Sequence, residues 1–210
     1  MVSLQALAGI SAVALGMVLT PGPNMIYLVS RSVTQGHRAG LVSLAGVAAG
    51  YLVYLVLAAA GLVAVLTLVP AVYLAIKFAG AAYLLWLAWS AVRPGGVSAF
   101  APKALPADPP RRLFAMGLVT NLLNPKIAVL YVSLLPQFVD PRQGHLAEQS
   151  FILGLAQITV SLSVNALIVM SAGTVSAFLA RRPTWLRTQR YVMGTVLAGM
   201  AVRIATAPNR

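Results

Sequence analysis

From Met1 to Ser30 the chain carries no charged residue, and five further runs of similar character follow it. A helix needs about 20 apolar residues to cross the hydrocarbon of a bilayer. Six segments meet that length, at about 3–30 (broken at 21–23), 39–68, 71–92, 113–136, 150–179 and 185–205. Lipid leaves no water to satisfy backbone groups, so such runs fold as helices. The expected fold is an all-α polytopic membrane protein. Composition agrees: 60% of the residues are hydrophobic and 9% charged, with mean hydropathy +0.87, where a soluble domain carries about 25% charged residues. The first run has no basic residue before it and no convincing cleavage site, so it is read as a retained membrane segment.

The net charge of +12 would suggest nucleic acid in a soluble protein. Here the basic residues gather at segment ends, where they anchor the chain against anionic headgroups, and no basic soluble module exists for a nucleic-acid partner. The connections after segments one, three and five hold ten of the Lys and Arg residues, and the opposite side holds three, Arg142, Arg203 and Arg210. The positive-inside rule puts the ten in the cytoplasm and both termini outside. With no cysteine, and with His37 and His145 in loops, no metal site or cofactor is expected. The three acids, Asp108, Asp140 and Glu148, fall in loops or at segment ends. No paired carboxylates and no Ser/His/Asp set support an enzyme.

Two polar interruptions stand out inside apolar runs: Thr20-Pro21-Gly22-Pro23-Asn24 and Asn121-Leu122-Leu123-Asn124-Pro125-Lys126. Proline offers no amide hydrogen and clashes with the preceding turn, so both segments should be broken. Broken backbone at membrane depth is tolerated only against protein or a wet cavity. The Pro-rich stretch 93–112 separates a three-helix half, 1–92, from a second, 113–210. Aligning Gly16 with Gly117 sets Asn24 opposite Pro125. An odd number of spans per half inverts one half against the other. Paired broken helices in inverted halves are the arrangement in which carriers hold a solute at mid-membrane.

Lys126 lies 14 residues from both Arg112 and Asp140, near the bilayer centre. A lysine there costs about 3 kcal/mol or more unless it meets a partner or water. With Pro21, Gly22, Pro23, Asn24, Asn121, Asn124 and Pro125 it forms the candidate substrate site. The asparagines have a structural alternative, which is to satisfy the freed backbone and join helices. A zwitterion would find carbonyl oxygens for its ammonium here, and Lys126 would suit its carboxylate. Thr20, Tyr51 and Lys77 are secondary candidates; for Lys77 snorkelling, and for Tyr51 packing, is the leading reading. Gly46-Val47-Ala48-Ala49-Gly50 is a GxxxG pattern for close helix contact.

These residues resemble the LysE/RhtB family of amino-acid exporters. Leu19-Thr20-Pro21-Gly22-Pro23-Asn24 is similar to its N-terminal signature, and Gly117 through Asn124-Pro125-Lys126 to Leu135-Pro136-Gln137-Phe138-Val139 to its second. Gly46 to Gly50, Ala58 to Leu62 and Lys77 to Leu84 continue the likeness. The resemblance implies a bacterial inner-membrane carrier exporting amino acids or their derivatives, driven by the proton motive force. Where many members of that family carry an acidic or other polar residue after the second-segment glycines, this chain has Tyr51. Coupling then runs through Lys126, through the substrate's own charge, or is absent. Without acids in any span, a neutral or hydrophobic amino acid is the expected cargo. The expected partners are that solute and the lipid bilayer, with homo-oligomerisation left open. The alternative is a membrane scaffold or assembly factor without transport.

Overall fold

A computed structural model describes residues 2–20, 22–62 and 107–180, together with single positions between 74 and 93 and between 188 and 206. Pro21, Lys77 and most of the third and sixth segments and of the 93–112 linker lie outside the described residues. Every regular element among them is helical.

Helix α1 (Leu4–Leu19) starts at Ser3, whose hydroxyl accepts from the Ala6 amide at 3.1 Å, the ordinary way to satisfy a free N-terminal amide. It ends at Thr20, and α2 (Pro23–Gln35) begins with a proline in its first turn, where no amide hydrogen is needed. The two axes meet at 54°. Gly36, at φ +85°, turns the chain into α3 (His37–Leu57), a backbone conformation that glycine adopts without a Cβ penalty. A π-turn at Ala58–Leu62 follows.

Helix α4 (Pro110–Leu122) and α5 (Pro125–Val129) form the second break. The helix continues from α5 as a π segment, Leu130–Leu134, and a 3-10 turn, Leu135–Phe138, and its axis lies 47° from that of α4. After a short turn at Pro141–Gln143 comes α6 (Leu146–Ala180). Its 35 residues reach about 52 Å at 1.5 Å per residue, well beyond a ~30 Å hydrocarbon core. The stretches His37–Ala60 and Leu146–Thr174 are long and apolar enough to cross a membrane unaided, and each bent pair reaches that length as one unit.

Burial is the reverse of a soluble protein. Leu52, Val56, Leu167 and Met170 are exposed, while Asn24, Ser43, Asn121, Gln157, Ser161 and Asn165 are buried. Apolar outside and polar inside is the pattern that lipid solvation selects. Ile10, Met17, Leu28, Val47, Leu130, Leu135 and Leu153 fill the space between the helices.

Two details depart from the sequence reading. Arg31, expected in a loop, sits in the last turns of α2 and is 6% exposed. Its partner Asp108 does lie in the loop before α4, with its side chain turned inward and 6% exposed. A contact between residues 77 positions apart leaves no trace in local pattern. The fourth segment also begins earlier than 113, because Pro109 and Pro110 start the helix and draw Arg111 and Arg112 into its first turn.

Candidate functional site

Each break frees carbonyls that the next turn cannot satisfy. Pro21 has no amide hydrogen for Met17, whose carbonyl accepts from the Thr20 amide at 3.2 Å instead, and the turn at Thr20 leaves its own carbonyl outside the helix. Lys126 reaches both oxygens: its Nζ donates to the Met17 carbonyl at 2.8 Å, as a second donor there, and to that of Thr20 at 2.9 Å. The lysine of the second break therefore closes the first. At the second break the Leu122 carbonyl accepts from the Tyr54 hydroxyl at 2.9 Å, and Tyr54 stacks on Tyr131 with ring centres 5.2 Å apart. The Asn124 side chain caps α5 by accepting from the Lys126 amide at 3.1 Å. Gly22 gives the lysine its room, since a Cβ there would stand 3.0 Å from Nζ and 3.3 Å from Cε.

Lys126 faces a small cavity of about 10 Å³, room for about one water molecule. Its polar lining is Asn24, Tyr51, Lys126, Ser161 and Asn165, and its apolar wall is Met17, Val18, Met25, Ile127 and Leu130. Both amide atoms of Asn24 are buried without a hydrogen-bond partner. The Tyr51 side chain faces those of Ser161, Asn24 and Gln157. Gln157 accepts from the Tyr131 hydroxyl and donates to Ser161 Oγ, each at 2.8 Å, and Asn165 donates to the Ser161 carbonyl at 2.9 Å.

Of the residues singled out in the sequence, Asn24, Tyr51 and Lys126 meet on this cavity, with Thr20 and Gly22 against the lysine. Pro23 and Pro125 open α2 and α5. Asn121 is not among the lining residues. It is fully buried between α3 and α4, where a Cβ on Gly50 would touch its side chain at 2.7 Å. Asn124 likewise serves the helix end. Pro21 and Lys77 are outside the described residues. Sequence reasoning passed over Gln157, Ser161 and Asn165, although their spacing of four carries a signal. It puts three polar side chains on one stripe of an apolar helix.

Buried side chains flank the cavity in both directions. Toward the N-terminus of α1, Ile10, Val13 and Ala14 are buried, and beyond them opens a cleft of about 1140 Å³ lined by Ser3, Gln5, Gly9, Asp140, Arg142 and Gln149. On the other side, Leu28 and Val47 are fully buried. Arg31, about 10 Å along α2 from Asn24 at 1.5 Å per residue, pairs with Asp108, which also holds Arg112 at 3.1 Å. Gln35 accepts from the Asp108 amide at 2.9 Å. The Tyr27 hydroxyl donates to the Leu113 carbonyl at 2.7 Å.

A family model described as LysE type translocator matches residues 15–207. The leucine efflux protein of Klebsiella pneumoniae subsp. pneumoniae is 28% identical over 193 residues, covering 92% of this chain and 91% of that protein. The leucine efflux protein of Salmonella typhimurium gives the same figures. That of Enterobacter sp. (strain 638) is 27% identical over 194 residues, 90% of each chain. No solved structure matches the chain.

Proposed function

The chain belongs to the LysE type translocator family, a membrane translocator and not an enzyme, and from that premise we propose that it exports neutral, aliphatic amino acids from the cytoplasm across the inner membrane. The family sets aside the scaffold alternative. The observation that carries the site is the placement of Lys126, buried beside the cavity and holding the loose end of α1 by two carbonyls. A single side chain thereby links the two broken helices at one place, as expected of a mid-membrane carrier site.

Three supports favour an aliphatic cargo. The apolar wall of the cavity is built from Met, Val, Ile and Leu side chains, no acid is available for a cationic substrate, and the relatives above are named for leucine efflux. Substrate lies against Lys126 and Asn24, with Ser161 and Asn165 opposite. The halves 1–92 and 113–210 are inverted repeats within six spans, both termini face outward, and rocking of one half against the other exposes the site to each side in turn. Lys126 is the group at the site able to link substrate to the proton motive force, because no carboxylate lies nearby to do so.

The Lys126→Ala variant tests the assignment. Uptake of labelled leucine into everted vesicles is expected to fall about tenfold or more, a loss of at least ~1.4 kcal/mol, while the amount of inserted protein stays within normal range. Undiminished uptake would remove Lys126 from the site.

A further inference from the structure

The charge inventory of the cavity is lopsided. Its polar lining holds one ammonium and no carboxylate. The chain has three acids in all. Asp108 is engaged by Arg31 and Arg112, Asp140 accepts from the Arg142 amide in the outer turn, and Glu148 is 67% exposed beside His145. None can neutralise Lys126. A lysine ammonium has three donors, and two are spent on the Met17 and Thr20 carbonyls. Those are the carbonyls at the break on which a substrate ammonium would otherwise rest. The Asn24 amide, 5% exposed, keeps its donors unused.

A ligand carboxylate answers both deficits. One oxygen takes the third Nζ hydrogen, the other takes the Asn24 amide, and the buried charge gains its counter-ion. A ligand ammonium would instead sit near a like charge with only neutral oxygens to receive it, a disfavoured arrangement away from water. Resting on the reading of this cavity as the substrate site, we propose that it recognises the carboxylate and not the ammonium of its ligand. It therefore also takes aliphatic 2-hydroxy acids, in which a hydroxyl replaces the amino group, and rejects amino-acid amides, which keep the ammonium and lose the carboxylate.

Purified full-length protein is titrated with leucine, its 2-hydroxy counterpart and leucinamide, reading the melting temperature, while leucine uptake into everted vesicles is followed separately. Leucine and the hydroxy acid are expected to stabilise the protein at concentrations within about threefold of each other, and leucinamide to need about tenfold more. Asn24→Asp, nearly isosteric, puts an acid into the cavity and should reverse the order in favour of leucinamide. Equal or stronger stabilisation of the unaltered protein by leucinamide, or none by the hydroxy acid, overturns the proposal. An unchanged order in Asn24→Asp does the same. Leucine uptake without hydroxy-acid binding leaves the export reading standing and removes the carboxylate rule. Hydroxy-acid binding without leucine uptake does the converse.

Discussion

Two buried cations show how differently a side chain can be held inside a membrane protein. Lys126 leans on backbone carbonyls and a cavity, whereas Arg31 is matched by a carboxylate, lies over the Tyr27 ring and reaches the Met116 sulfur at 3.8 Å. Removing one partner of a buried pair strands the other charge, at a cost of about 3–5 kcal/mol. Asp108→Asn should therefore lower the melting temperature of the detergent-solubilised protein markedly. Arg112→Ala should change it little, because Arg112 is two-thirds exposed and such a pair contributes about 1 kcal/mol or less. Equal shifts from the two variants would show that Arg31 finds another partner. The same comparison explains what could be read in advance. Lys126 was legible because a charge 14 residues inside an apolar run, directly after Pro125, is a local anomaly. The pairing of Arg31 with Asp108 was not, since both look like ordinary loop-end charges until the fold brings them together.

At the scale of elements, the broken helices and the glycine contacts follow from sequence chemistry. Pro21, Pro23 and Pro125 fix where the helices stop, and the glycines fix which helices touch. A Cβ on Gly46 would overlap the Phe114 carbonyl and lie 2.9 Å from the Leu118 amide, and one on Gly117 would overlap the Ser43 carbonyl. The backbones of α3 and α4 are thus in contact, as close packing through small residues requires. Gly50, one turn on from Gly46, makes the corresponding place for Asn121. Gly46→Ala and Gly117→Ala should each cost about 1–3 kcal/mol through forced backbone movement. Gly173→Ala meets nothing within 4 Å and should stabilise by roughly 0.5–1 kcal/mol, the usual gain for glycine to alanine inside a helix. Melting temperatures of the three variants check the order, and a harmless Gly46→Ala would separate α3 from α4. The polar stripe of α6 was also present in the sequence but dilute. Three residues spaced by four within 35 hardly alter the hydropathy of the run, so a reading tuned to breaks and charges passed over it.

For the whole molecule, a cavity with room for one water cannot hold an amino acid, so a substrate bound there would require the buried side chains on either side to part in turn. One layer, with Ile10 and Val13, lies toward the cleft beside the start of α1; the other lies toward the Arg31–Asp108 pair. The absence of cysteine from the chain makes this sequence of openings measurable with single introduced thiols. Gln5→Cys, at the rim of the cleft, should react with a membrane-impermeant maleimide applied to intact cells. His37→Cys, at the start of α3, should react only in everted vesicles if both termini face outward. The reverse pattern would invert the orientation drawn from loop charge. Asn165→Cys, on the cavity wall, distinguishes a carrier from a channel. A carrier exposes that thiol to one side at a time, so its labelling from either side should rise or fall when substrate is added. A channel would leave it reactive from both sides at once, with no dependence on substrate.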